Sequence, residues 1–407
     1  MQLDLNRLLK AAVDNGASDV HLKPGKVPVF RIDGKLHELQ KHPPLTAQDM
    51  STAAKAIMDD WQIEVYKKKH EVDLAYSVPG IGRFRVNVFQ QRGTIAIAFR
   101  VIPFKVQTFE DLHLPPAMQK ICMERRGMIL VTGATGSGKS TTLASMIEFI
   151  NTHRTCHILT VEDPIEFLLR DKMSLISQRE IGFDTQDFLG ALRSALRQDP
   201  DVILVGEMRD LETINTALMA AETGHLMLST LHTTDVMETI NRILSFYPAH
   251  QQAQVRQQLA TALKAIVCQR LIPRADGRGR VPAVEIMVNN SRAAVAIRDM
   301  NKTSEIPTIM KQSYTTYGMQ SFDMSLLDLV RQNLITIEEA LEQATNPSDL
   351  AMRLKGISGA DEADYRQFDE DKKKGGGGGG GGGGDKGGGA APAGGGQFDD
   401  LLERFSE

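Results

Sequence analysis

The chain has 407 residues, 42% hydrophobic and 24% charged, a composition that excludes a fibrous or wholly disordered protein. At this length we expect two or three domains, each large enough to bury its own core. The net charge is −4, which argues against a globally basic nucleic-acid-binding protein.

The sequence shows no export or membrane signal. The segment MQLDLNRLLK carries Asp4 and lacks the apolar core of a signal peptide, and no run reaches the about 18 apolar residues of a membrane span. The three cysteines are too far apart to form a CxxC metal site or a disulfide framework: Cys122, Cys156 and Cys268. We therefore expect a protein of a reduced compartment, the cytoplasm.

The first hundred residues have the pattern of a mixed α+β domain. Residues 1–20 place leucines at helical spacing, with Gly16 as a stop. Short alternating strands follow, and Asp33-Gly34 and Arg92-Gly93 indicate hairpin turns between them. Residues 46–69 are helical in composition. We predict one domain over residues 1–102.

A proline-containing segment, 103–116, is predicted to link this domain to a second one over residues 117–358. Four short apolar runs in the second domain are bounded by charge, Gly or Pro: Met128–Thr132, His157–Val161, Val202–Val205 and Leu226–Leu231. Helical patterns lie between them, at 140–151, 186–198 and 210–223. This alternation predicts an α/β fold with buried parallel strands. Residues 235–271 and 322–356 are expected to form helices packed behind the sheet.

The segment 359–407 loses the composition of a folded core. Acidic residues lead into ten consecutive glycines, and this composition predicts a disordered tail. The tail ends in QFDDLLERFSE, where Phe398, Leu401, Leu402 and Phe405 are spaced as one stripe of a short amphipathic helix. We hypothesise a tethered docking peptide; the alternative is a frayed terminus without function.

The strongest chemical signal is GATGSGKST, residues 133–141, which follows a predicted strand and opens a predicted helix. In such a loop, backbone amides surround the β- and γ-phosphates of a nucleotide, Lys139 adds charge, and the Ser140 hydroxyl binds Mg²⁺. The expected contacts come from every residue of the loop: Gly133, Ala134, Thr135, Gly136, Ser137, Gly138, Lys139, Ser140 and Thr141. The sequence predicts binding of ATP with Mg²⁺.

Acidic and imidazole side chains follow three other predicted strands. Glu207 ends DVILVGE, and we expect its strand to lie beside the P-loop strand, where a carboxylate binds Mg²⁺ or activates water. Glu162 and Asp163 follow a second strand, and His232 ends a third. The alternative for the acids is a solvated turn or strand end, but beside a P-loop the catalytic interpretation of Glu207 is favoured. A lone histidine is more often structural; the position of His232 at a strand end also fits γ-phosphate sensing or contact with a neighbouring subunit.

Arginines in the first domain are candidates for phosphate contacts. Arg83 and Arg85 share one face of a predicted strand because side chains alternate along a strand. Arg92 and Arg100 lie nearby. A solvated face is the simpler interpretation; the other is that these arginines reach phosphates across a domain or subunit boundary.

Taken together, these motifs resemble a known family. SDVHL, GRFRVNVFQQRG, GATGSGKSTTLASM, TVEDPIE, LRQDPDVILVGEMRD, AETGHL and STLHT over residues 3–355 are similar to the secretion-type hexameric ATPases, and within them to the PilT/PilU family of type IV pilus retraction ATPases. The resemblance implies a PAS-like amino-terminal domain, a RecA-like ATPase domain and a homohexamer beneath an inner-membrane platform protein.

The resemblance also assigns roles and a direction. It implies that Glu207 is the catalytic glutamate, that 160–166 and 229–233 are the acidic and histidine motifs, and that Arg83, Arg85 and Arg100 face phosphates. Without the tetracysteine site of extension motors, retraction powered by ATP hydrolysis is favoured. The segment 295–306 departs from the pattern of retraction motors, so a principal motor and an accessory that needs a second retraction ATPase both remain open.

Three other functions remain as alternatives. The first is an assembly ATPase of type IV pili or type II secretion. The second is an ATP-binding scaffold that hydrolyses little, against which the intact Lys139, Ser140, Glu162 and Glu207 argue. The third, a nucleic-acid translocase, is disfavoured by the acidic balance, so we expect no nucleic-acid partner and membrane association only through partners.

Overall fold

The computed structural model describes residues 3–32, 34–103 and 105–355, which form two compact units. The first holds the described residues up to Val106 together with Glu166–Leu169, and the second holds 107–165 and the described residues from Arg170 onward. The predicted amphipathic tail lies outside the described residues. No helix within the described part of the chain is long and apolar enough to cross a membrane.

The first unit is a six-stranded antiparallel sheet with helices. Its elements are α1 (Leu5–Asp14), β1 (Asp19–Leu22), β2 (Val29–Ile32), β3 (Lys35–Glu38), α2 (Ala47–Ile57), α3 (Asp60–Lys69), β4 (Glu71–Val78), β5 (Gly82–Gln91) and β6 (Thr94–Ile102). The strand order is β3-β2-β1-β6-β5-β4. Arg92 and Gly93 both have positive φ, as a two-residue hairpin turn requires, so this predicted hairpin is confirmed.

The core of the first unit forms on one face of this sheet. Along β5, Phe84, Val86 and Val88 are buried while the alternate residues are more exposed. Phe84 meets Phe99 of β6 edge to face, with ring centroids 6.2 Å apart. This alternation leaves the opposite face of β5 to polar side chains.

The second unit is built around a seven-stranded sheet. Its strands are β7 (Gly127–Thr132), β8 (His157–Glu162), β9 (Leu175–Glu180), β10 (Val202–Val205), β11 (Leu226–Leu231), β12 (Leu263–Pro273) and β13 (Arg280–Val288). The strand order is β13-β12-β7-β11-β10-β8-β9, parallel except for β13. Every residue of β7, β10 and β11 is buried, because helices cover both faces.

Helices pack on this sheet. They are α4 (Ala117–Cys122), α5 (Lys139–His153), α6 (Phe188–Ala195), α7 (Leu211–Glu222), α8 (Val236–Ser245), α9 (Ala249–Ala262), α10 (Ser291–Arg298), a 3-10 helix (Met300–Glu305), α11 (Ile306–Gln312), α12 (Tyr314–Tyr317), α13 (Phe322–Arg331), α14 (Ile337–Gln343) and α15 (Pro347–Leu354). Within the predicted linker, Phe109 and Leu114 are buried in the second unit, and Phe109 packs on Phe149 of α5. The mixed α/β fold class is confirmed.

One predicted helical region is wrong in part. Residues 235–271 were expected to be helical throughout, but the chain leaves α9 at Ala262 and forms β12, which pairs in parallel with β7. β12 is buried between two neighbouring strands, so its side chains do not alternate in polarity. Such a run cannot be distinguished from a buried helix by periodicity. The sequence feature that could have indicated a hairpin of β12 and β13 was the turn dipeptide Asp276-Gly277 between them.

Glu285 of β13 gives the second unit a pH-dependent stability. Burial, together with nearby Asp235, raises the pKa of Glu285 to about 7. The hydrogen bond that its carboxylate accepts from Val236 N at 2.9 Å acts in the opposite direction and is outweighed. Between about pH 4.5 and 7, the Glu285 carboxyl group is therefore protonated in the folded chain and ionised in the unfolded chain. The stability of the fold falls as pH rises through that window. Above about pH 7 the folded chain carries the full free-energy cost of a buried Glu285 carboxylate.

Glu285→Gln should therefore stabilise the second unit at pH 8 by roughly 2–3 kcal/mol and far less at pH 5. Glutamine keeps an oxygen that can accept the hydrogen bond from Val236 N without a buried charge. The measurement is urea unfolding of both proteins at the two pH values. An equal gain at pH 5 and pH 8, or a loss at pH 8, would contradict this assignment.

Candidate functional site

The loop 133–138 joins β7 to α5 and has the geometry of a phosphate cradle. Gly133 has φ +145° and Gly138 has φ +89°, conformations that other residues rarely adopt. A Cβ on Gly133 would lie 2.4 Å from the backbone oxygen of Gln269, so a side chain is excluded there as well. The loop therefore leads into the first turn of α5, where the first backbone amides of a helix can face an anion.

Lys139 is the first residue of α5 and curls back over the loop. Its Nζ donates to Gly133 O at 2.8 Å and to Ala134 O at 3.0 Å. The ammonium group is thus held over the loop that would surround the phosphates. Ser140, the next residue, is exposed at the amino-terminal end of α5, where the helix dipole favours anions.

Glu207 follows β10 and is largely enclosed, with 13% of its side chain exposed. Arg209 Nη2 lies 2.5 Å from Glu207 Oε1, and His232 Nε2 lies 3.5 Å from Glu207 Oε2. The structure therefore brings together the glutamate and the histidine that the sequence placed on separate strands. It holds the glutamate as an oriented acceptor rather than a solvated acid.

The predicted neighbour of the P-loop strand is wrong. β11 lies between β7 and β10, so the strand beside the P-loop strand carries His232, and Glu207 is one strand further away. Strand order is a tertiary property that consecutive apolar runs do not encode. The carboxyl ends of β7, β11, β10 and β8 consequently place the P-loop, His232, Glu207 and Glu162 in that order along one edge.

Two hydroxyl side chains of β11, which the sequence alone does not identify as site residues, hold the end of β10. Ser229 Oγ donates to Val205 O and Thr230 Oγ1 donates to Gly206 O, both at 2.7 Å. These bonds fix the backbone on the amino-terminal side of Glu207. The motif STLHT carried the signal, because two hydroxyl residues in a buried strand need partners.

Glu162 ends β8 and lies at the same edge. Its Oε1 accepts from Thr160 Oγ1 at 2.6 Å and from Gln178 Nε2 at 3.1 Å. Those two neighbours set the orientation of the carboxylate. Glu162 is therefore a second positioned acid, one strand beyond Glu207.

The arginines of the first unit share the polar side of its sheet. Arg85 of β5 is exposed and lies opposite Arg100 of β6. Arg83, two residues before Arg85, lies on the same face of β5. Arg100 Nε donates to Asp19 Oδ1 at 3.0 Å. Burial alone would raise the pKa of Asp19. The hydrogen bonds from Ser18 and Arg100 have the larger combined effect, so the pKa of Asp19 is lowered.

The P-loop, the strand-end carboxylates and the parallel sheet define a nucleoside triphosphatase of the P-loop class. A family model described as type II/IV secretion system protein matches residues 1–363. The chain belongs to this family, and it is an ATPase.

Three relatives from Pseudomonas aeruginosa show where in the family it falls. The type IV pilus retraction ATPase PilT is 44% identical, over 85% of this chain and 100% of that protein. The type IV pilus ATPase PilU is 39% identical, over 88% of this chain and 93% of that protein. The type IV pilus assembly ATPase PilB is 35% identical, over 66% of this chain and 47% of that protein.

A solved structure supports the fold and the binding of a nucleotide. The crystal structure of the pilus retraction motor PilT with bound ADP matches with a TM-score of 0.78 and 45% identity, covering 86% of this chain and 99% of that one. The resemblance expected from the motifs is thereby confirmed. Because that protein was crystallised with ADP, the match supports nucleotide binding by this chain.

Proposed function

We propose that this chain is the motor ATPase that powers retraction of type IV pili. The observation that carries the proposal is the match to a retraction ATPase at 44% identity over 85% of this chain, against 35% identity over 66% of this chain for the assembly ATPase. Retraction and assembly motors share the ATPase chemistry, so the higher identity over a longer part of this chain separates them better than the P-loop does. The assembly ATPase is the alternative.

The nucleotide would bind with its phosphates in the loop 133–141. Backbone amides and the amino-terminal end of α5 stabilise the phosphate charge, and Lys139 would turn from the loop carbonyls to the β- and γ-phosphates. The described His, Cys, Asp and Glu side chains form no cluster of three or more able to hold a metal alone. The exposed Ser140 hydroxyl and the Glu207 carboxylate offer the oxygen ligands that Mg²⁺ prefers, with the nucleotide's phosphates completing the site.

When bound, Mg²⁺ would neutralise charge that develops on the phosphate oxygens. We propose Glu207 as the base that orients the attacking water, because its carboxylate is enclosed and oriented by Arg209 and His232. His232, on the strand beside the P-loop strand, would sense the γ-phosphate. Glu162 would be the second acid of the site.

We further propose a PAS-like domain over 1–102, a RecA-like domain over 117–358 and a homohexamer at the cytoplasmic face of the inner membrane, acting on a platform protein. In such a ring, Arg83, Arg85 and Arg100 would reach phosphates at a boundary between domains or subunits. The six-stranded sheet with Arg85 exposed beside Arg100 supports this assignment. Nucleotide-driven movement of the domains would transmit force to the platform protein.

If arginines complete the site in trans, mixed rings should recover activity. Arg85→Ala and Lys139→Ala subunits should each be inactive alone, whereas mixtures should hydrolyse ATP, because one chain supplies what the other lacks. The measurement is phosphate release across mixing ratios, with mixed rings confirmed by differently sized tags. Mixed rings without activity at any ratio would show that Arg85 acts in cis or not at all.

The principal and the accessory motor are distinguished in cells. We favour the principal motor because identity to PilT exceeds identity to PilU, although the segment 295–306 keeps only Ala296, Ile297 and Arg298 of the retraction-motor pattern. Deletion of the gene should leave excess surface pili and abolish twitching, whereas loss of an assembly motor leaves no pili. Expression in a strain without other retraction ATPases should restore twitching; restoration only alongside a second ATPase would indicate the accessory role.

A further inference from the structure

Gln269 of β12 lies directly behind the P-loop, although it is 130 residues further along the chain than Lys139. β12 pairs with β7, and its Cys268 is opposite Thr132, the last residue of β7. Gln269 is therefore level with the first residue of the loop. Its side chain is buried, with 3% of the residue exposed.

Both ends of the Gln269 amide bond to the nucleotide-binding segment. Its Nε2 donates to Ser137 O at 2.8 Å, and its Oε1 accepts from Thr142 Oγ1 at 2.8 Å. Ser137 is in the loop and Thr142 is in the first turn of α5. One side chain thus ties the loop to the helix amino terminus that faces the phosphates.

The packing around Gln269 accounts for two glycines of the motif. A Cβ on Gly138 would lie 2.7 Å from Gln269 Nε2, and a Cβ on Gly133 would lie 2.4 Å from Gln269 O. The loop is thus folded closely against this one residue. β12 is itself fixed from its other side, since Arg270 donates to Gln343 O at 2.8 Å and stacks on Phe322.

We propose that Gln269 is a positioning residue that organises the P-loop before nucleotide binds. Because Ser137 O accepts the hydrogen bond from Gln269 Nε2, this carbonyl is held toward β12. The loop therefore presents amides rather than the Ser137 carbonyl to the phosphates. Organising the loop in advance removes an ordering cost from nucleotide binding. This inference rests on the nucleotide site alone and is independent of pilus retraction.

The test compares two buried glutamines with the same chemistry. Gln269→Met removes both hydrogen bonds at similar volume and leaves Ser137 O without its partner. Gln320→Met is the matched control: Gln320 is also buried, and its Nε2 donates to the backbone oxygen Val284 O at 2.9 Å, within β13 rather than at the P-loop. Both variants should lower the melting temperature of the full-length chain.

Only Gln269→Met should weaken binding of ADP, by about tenfold. In the same variant, the KM for ATP should rise by a larger factor than the one by which kcat falls. The affinities are measured by isothermal titration with ADP and Mg²⁺. Unchanged ADP affinity of Gln269→Met, or an equal loss in Gln320→Met, would overturn the proposal. If Gln269→Met does not fold, Thr142→Val removes one hydroxyl and should weaken ADP binding about threefold; an unchanged affinity overturns it equally.

Gln269→Glu adds a pH-dependent readout of the same two hydrogen bonds. A protonated glutamic acid can donate to Ser137 O and accept from Thr142, whereas the carboxylate cannot donate and repels phosphate. Burial raises the pKa of such a carboxyl group, so protonation falls in an accessible range. The ratio of variant to wild-type ADP affinity should rise as pH falls from 8 to 5.5, and a constant ratio would contradict the positioning role.

Discussion

Replacing Lys139 by alanine should reduce kcat for ATP hydrolysis by at least roughly 100- to 1,000-fold. The ammonium group is held over the loop by Gly133 O and Ala134 O, at the place where the phosphates would bind. Its removal leaves the loop amides but takes away the one full positive charge of the motif. The measurement is steady-state phosphate release at saturating ATP, together with ADP affinity.

Lys172→Ala is the control for this variant, because Lys172 forms an ion pair with Glu148 on the far part of α5. Its loss removes one surface charge from the same unit without touching the loop. We expect wild-type hydrolysis from Lys172→Ala. Hydrolysis by Lys139→Ala at a rate similar to Lys172→Ala would show that the loop does not bind the reacting phosphates.

Glu207→Gln should retain nucleotide binding and lose hydrolysis by roughly 10²- to 10⁴-fold. Glutamine preserves the volume and the acceptor oxygen near Arg209, but it cannot accept a proton from water. ADP and ATP affinities should therefore remain within a few-fold of wild type while turnover is lost. Binding and single-turnover hydrolysis, measured on the same preparation, separate the two effects.

Glu162→Gln is the matched variant, since Glu162 ends β8, Glu207 follows the neighbouring parallel strand β10, and both are engaged by neighbouring side chains. It should retain more activity than Glu207→Gln. If Glu207→Gln hydrolyses ATP at a nearly wild-type rate while Glu162→Gln does not, the base has been assigned to the wrong strand.

The sequence predicted the parts of the second unit whose signals are local. The strands β7, β8, β10 and β11 were recognised because each is a short apolar run bounded by charge or turn residues. The P-loop was recognised because its glycines, lysine and serine have a fixed spacing next to a strand and a helix. These features depend on few neighbours in space.

The missed elements depend on distant partners. β9 (LISQRE) is a largely polar edge strand, recognisable mainly through its pairing with β8. β12 is buried between β7 and β13, so its pattern resembles that of a buried helix. The contact between Glu207 and His232 follows from strand order, and the contact between Gln269 and Ser137 joins segments that the motif does not include. Such contacts are tertiary and leave no periodic trace.

Retraction counted on fluorescently labelled pili in living cells shows whether ATP hydrolysis by this chain withdraws pili, as we propose. A strain lacking the gene is complemented with wild type, with Glu207→Gln or with Lys172→Ala. We expect extended pili in every strain, with retraction restored by wild type and Lys172→Ala but not by Glu207→Gln. Absence of pili from the deleted strain, or normal retraction with Glu207→Gln, would contradict it.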